Sequence, residues 1–190
     1  MQPEFIPPSP YRAQKRLNGK VMLIIAGVII MIIVAAGLLI ASMSKNPTAS
    51  MDKLTTRMDS LTLYIAEGSK NAKLDTLRKI NSDAGILISG DTTTIKSATS
   101  TAGAKGDNKE VVAAEKARQK QTLDTLKKAA IDGRFDKEYL ATLEAVLTDT
   151  QTLLAQVNAD APQKAVKAAT RNAHEHIAAI LESLKAVDIY

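Results

Sequence analysis

The sequence predicts an all-α protein: a single N-terminal transmembrane helix followed by an exported up-and-down bundle of four or five antiparallel helices. Three observations carry that expectation. Residues 21–43 (VMLIIAGVIIMIIVAAGLLIASM) contain no charge. They are long enough to cross a bilayer, since ~20 apolar residues rising ~1.5 Å each span the hydrocarbon core. Downstream, apolar residues recur at helical spacing in successive stripes, and no strand pattern of useful length interrupts them. Aromatic residues make up only 3% of the chain, with no Trp and no Cys. That composition favours a small-residue helical core over an aromatic-lined pocket. It also excludes disulfides, thiolate metal sites and a cysteine nucleophile.

Residues 1–20 read as a tail, proline-rich and then basic. Pro3, Pro7, Pro8 and Pro10 prevent a helix and favour an extended segment. Phe5 and Tyr11 flank this run, so Phe5, Pro7, Pro8, Pro10 and Tyr11 are candidate cytoplasmic docking residues. An unstructured terminus is the simpler reading. Arg12, Lys15, Arg16 and Lys20 follow, opposed only by Glu4. On the far side of the apolar run, Lys45, Lys53 and Arg57 are spread out and interleaved with Asp52 and Asp59. Excess Lys and Arg mark the cytoplasmic side. The expected topology is therefore a cytoplasmic N-terminus and an extracytoplasmic domain, single-pass in the cytoplasmic membrane.

A cleaved signal peptide has an apolar region of ~7–15 residues and a small-x-small cleavage site. The present run is longer, and Leu39–Met43 offers no clean small pair. An uncleaved anchor is expected. Within it, Gly37 and Ala41 form a small-xxx-small pair that would let a second transmembrane helix approach closely.

Residues 44–50 read as a linker containing Pro47, with Thr48 or Ser50 available to cap the next helix. The bundle then occupies residues 51–190. Met51, Leu54, Met58, Leu61 and Ile65 alternate at three and four, a heptad seam expected to end near residue 67, before Gly68. A second helix is expected over about 72–95, on Leu74, Leu77, Ile80, Ala84, Leu87 and Ile88, weakened at its end by glycine and threonines. Residues 96–109 read as a flexible low-complexity loop without phosphate-loop spacing. The third helix, about 108–131, should be capped by Asp107 or Asn108 and ended by Gly133. Its polar middle, residues 115–122, is the expected solvent- or partner-facing strip. Asp136 should cap the fourth helix, about 136–158, with the stripe Leu140, Leu143, Leu147, Leu154 and Val157. Asp160 and Pro162 should start the fifth, about 162–187, with Val166, Ala169, Ala173, Ile177, Ile180, Leu184 and Val187 facing inward. The short connections imply antiparallel neighbours.

Few side chains are arranged for chemistry. The two histidines, His174 and His176, are two residues apart, which points their rings roughly 160° apart on a ~3.6-residue turn. A shared metal needs a spacing of three or four, so no metal is expected. The Glu-x-x-His pair of carboxylate-bridged di-iron bundles is absent. Haem ligation by Met58 on the first bundle helix and His176 on the last is the sharper alternative. Methionine at a heptad core position is more economically read as packing. No G-x-S-x-G elbow occurs. Asp59, Glu67, Asp75 and Asp83 sit near Lys70, Lys73 and Lys79, as solvated helix faces do. No cofactor and no enzymatic activity are expected. The net charge of +5 comes largely from the four cations of the tail. A nucleic-acid face would need cations clustered on one stripe.

The architecture alone resembles membrane-anchored helical bundles of bacterial envelopes. The expected function is a structural or interaction subunit of an envelope or surface assembly, partnering the membrane and other envelope proteins or itself. One alternative is a sensor-like or modulatory domain that signals through a partner membrane protein, where deletion of residues 1–11 would abolish a response and leave assembly intact. The other is a small-ligand or haem-binding bundle, excluded by a colourless purified protein whose melting temperature ignores ligands.

Overall fold

The computed structural model describes residues 47–187, which form five α-helices and, among the described residues, no strand. The predicted transmembrane segment, its Gly37–Ala41 pair, the basic residues and the proline-rich docking segment all lie outside the described residues. Within them, no helix is long and apolar enough to cross a membrane.

Helix α1 spans Pro47–Asn71, α2 Asp75–Thr101, α3 Lys109–Ile131, α4 Phe135–Asp160 and α5 Lys164–Lys185. Four of them close a ring: α1 packs on α2, α2 on α5, α5 on α4, and α4 on α1. Each neighbour in the ring runs antiparallel. The shared core holds Met51, Leu54, Met58, Leu61 and Ile65 of α1, and Leu77, Ala84, Ile88 and Ile95 of α2. From the other side come Leu143, Leu147, Leu154 and Val157 of α4, with Val166, Ala173, Ile177 and Leu184 of α5. α3 stands outside the ring in the groove between α1 and α4.

Several boundaries differ from those the sequence suggests, each for a physical reason. Residues 47–50 are helical rather than linker, and Ala49 and Ser50 are buried. α1 does not stop before Gly68. The buried ring of Tyr139 lies against that glycine, and a Cβ there would stand 2.7 Å from Tyr139 Cε1 and closer still to Cζ and Oη. Gly68 thus provides space inside a helix, and α1 ends one turn later.

α2 runs past residue 95 to Thr101, so the connection shrinks to residues 102–108. The threonines that argue against helix are accommodated by back-bonding: Thr92 donates to the Ile88 carbonyl at 2.6 Å and Thr99 to that of Ile95 at 2.8 Å. α3 ends at Ile131, and Gly133 follows its C-cap Asp132 with a φ of 71° that suits a residue without a Cβ. α4 continues to Asp160. Pro162 lies in the following connection, where it holds Ala161 extended at φ −73° and ψ 129°. α5 starts at Lys164 and stops at Lys185, before Val187.

Candidate functional site

The interior polar groups are concentrated where helices meet, above all along the seam between α1, α3 and α4. Arg57 is buried on α1 and meets Glu115 of α3 as a two-pronged pair, Nε donating to Oε2 at 2.9 Å and Nη2 to Oε1 at 2.6 Å. Their side chains are 5% and 9% exposed. One turn on, Arg118 of α3 donates to Asp149 of α4. Tyr64 of α1 is buried beside Thr122 of α3. Lys53 shares the seam, and burial followed by the Arg57 charge lowers its pKa. Burial likewise raises that of Tyr64.

The expectation that residues 115–122 face solvent or a partner is corrected in part. Lys116, Ala117, Lys120 and Gln121 are exposed, but Glu115 is buried and Arg118 and Thr122 are half-buried. A carboxylate in a polar run marks a buried position only if its cation on another helix is known. Sequence alone does not pair Glu115 with Arg57, which lies 58 residues away.

The connections are held by carboxylates from distant helices. Asp52, buried in the first turns of α1, accepts from the Gly106 N–H at 2.7 Å, the Asn108 N–H at 3.2 Å and Asn108 Nδ2 at 2.6 Å. Asn108 occupies the N-cap position of α3, yet its side chain donates to Asp52 and makes no cap bond. Asp136 sits inside the first turn of α4. Its carboxylate accepts from the backbone N–H groups of Lys73 and Leu74, both at 2.9 Å, at the start of α2. A third polar cluster lies in the core. Tyr139 donates to Asn81 Oδ1, while Asn81 Nδ2 donates to the Ile65 carbonyl at 3.0 Å and Ser69 Oγ at 2.7 Å. Burial drives the Tyr139 pKa well above the usual phenol value.

The candidate haem ligands sit on opposite helices of the ring, one packed in the core and the other engaged with a carboxylate. Met58 is fully buried in the core of α1, while His176 belongs to α5, diagonally across the ring. His176 Nδ1 lies 3.0 Å from both oxygens of Asp91 on α2. Asp91 is 9% exposed and His176 43% exposed. Burial raises the Asp91 pKa, and the His176 bond partly offsets this. His174 turns to the other flank of α5, where it lines a shallow cleft with Asn158, Thr170, Arg171 and Glu175. Among the described residues no three His, Asp or Glu side chains gather as metal ligands do.

Asp59 pairs with Lys96 at 2.6 Å, Glu67 with Lys70 at 3.9 Å and Asp75 with Arg78 at 3.4 Å, all on helix faces. A second shallow cleft separates the two connections, lined by Asn71, Lys73, Gly133, Arg134, Phe135 and Asp136. Many hydroxyls return to the carbonyl one turn earlier on their own helix, as Ser60, Thr62, Thr150 and Thr170 do. Among the described residues, the arrangement of these polar groups joins helices to one another. In comparisons with known proteins, no family model matches the chain, and neither a curated protein nor a solved structure does.

Proposed function

We propose that the protein is a single-pass, membrane-anchored, extracytoplasmic helical bundle that acts as a structural and interaction subunit of a bacterial envelope or surface assembly, without catalysis of its own. The observation that carries this reading is where the interior polar side chains go. Buried Arg57, Glu115, Asp52, Asn81 and Tyr139, and half-buried Asp136, are each bonded to another helix or to a connection between helices. Groups so engaged set shape and helix register. The uncharged stretch 21–43 and the cations before it support the anchor and its orientation.

The test is crosslinking of the tagged full-length protein in its native membrane, then detergent purification and identification of what co-purifies. A reproducible set of envelope proteins, or a ladder of its own oligomers, is the expected result. A protein that emerges alone and monomeric would contradict the reading.

A further inference from the structure

We propose that the first half of α3, residues 109–122, is a releasable arm that undocks from the α1–α4 groove while the four-helix ring stays folded. Four observations converge on it. The ring of α1, α2, α5 and α4 closes through its own helix contacts, without the first half of α3. α3 buries only Glu115, Leu126 and Ala129 along its whole length. Its apolar contacts with the core, Leu126 aided by Leu123 and Ala130, all lie in the second half. The first half is held by polar couplings: Arg57–Glu115, Arg118–Asp149 and Tyr64 beside Thr122, with Asp52 holding the connection ahead of it.

A seam of this composition opens differently from an apolar one. Separating apolar faces forfeits their burial outright. Separating buried ions returns the hydration that docking removed, which offsets much of the lost attraction. The Lys53, Arg57 and Arg118 cations outnumber the Glu115 and Asp149 anions on the seam, and burial and the Arg57 charge already disfavour the charged form of Lys53. The connection 102–108 supplies slack once Asp52 lets go, since an extended residue reaches about 3.3–3.6 Å. The arm therefore pivots on its apolar foot, residues 123–130. Opening uncovers Arg57 and Tyr64 of α1 and Asp149 of α4. The device is independent of whether the chain is anchored in a membrane.

The test is peptide-resolved hydrogen–deuterium exchange on the full-length protein. Residues 109–122 are expected to exchange at least ~10-fold faster than segments 54–65, 143–157 and 166–184, through an opening those segments do not share. Glu115→Gln should raise exchange in 109–122 a further ~10-fold and leave 166–184 unchanged. The double variant Arg57→Leu/Glu115→Leu, which replaces the pair by apolar contact, should return the arm to wild-type exchange or slower. Arg118→Ala, at a part-exposed pair, gives the same local signature without burdening the fold. Arm exchange that coincides with the ring's in the wild type, or variants that raise exchange in every helix alike, would overturn the proposal.

Discussion

Gly68→Ala is the smallest change that should damage this fold badly. In an exposed helix interior, alanine is more favourable than glycine by about 1 kcal/mol. At residue 68 the added Cβ meets the Tyr139 ring 2.7 Å from Cε1, where ordinary contact begins at 3.4 Å. The ring must retreat by roughly 0.7 Å or more. It is fully buried, stacked on Phe135 with centroids 5.3 Å apart, and tied by its hydroxyl to Asn81.

Overpacking of this kind costs about 1–3 kcal/mol. Pulling the phenol from Asn81 orphans buried polar groups at about 1–3 kcal/mol more. Net of the helix gain, Gly68→Ala should destabilise by about 2–4 kcal/mol. With a urea m-value of about 2 kcal/mol/M, the unfolding midpoint falls by about 1–2 M. The assay is urea unfolding of the full-length protein, followed by far-ultraviolet circular dichroism. Gly90→Ala is the control. That glycine lies in α2 with nothing within 4 Å of an added Cβ, so it should gain about 1 kcal/mol. If Gly68→Ala were as stable as the wild type or Gly90→Ala, the close approach of Tyr139 would be wrong.

Further outcomes follow from the same contacts. Asp136→Ala removes the acceptor for two backbone N–H groups at the start of α2 and should cost about 1–2 kcal/mol in urea unfolding, with Asp136→Asn costing less. Asp91 binds its proton more tightly folded than unfolded, because burial raises its pKa. Its contribution to stability is then greatest below the ordinary aspartate pKa, about 4, and declines as pH rises through the folded value. The stability of Asp91→Asn relative to wild type should therefore climb with pH across that window; a constant difference would refute it. Spectrophotometric titration should find Tyr64 and Tyr139 ionising above the normal phenol range, as burial raises both. Replacing either by Phe should remove a late step from the curve.

The helices themselves were legible because burial leaves a 3.6-residue period, and the α1, α4 and α5 stripes named from spacing are largely the residues that fill the core. Three kinds of feature were not. Gly68 reads as a helix end because its reason for being glycine, the Tyr139 ring, comes from a helix some 70 residues later. Thr92 reads as helix-weakening and Thr99 as part of a flexible loop, because propensity and composition omit their burial and back-bonds. Asp136 and Asn108 read as local caps, yet both are drawn into contacts with residues more than 50 positions away. Glu115 is the same case for the candidate site. Periodicity reports which face a side chain is on, while the partner of a buried charge is set by tertiary packing.

Display of an anchored bundle outside the cell can be read by single-cysteine labelling, which the absence of cysteine from the sequence makes clean. Ser97→Cys, at an exposed position of α2, and Ser9→Cys, in the tail, would be probed in spheroplasts with a membrane-impermeant maleimide. Ser97→Cys should be labelled in intact spheroplasts and Ser9→Cys only after the membrane is opened. Labelling of Ser9→Cys alone, or of neither before lysis, would contradict that display.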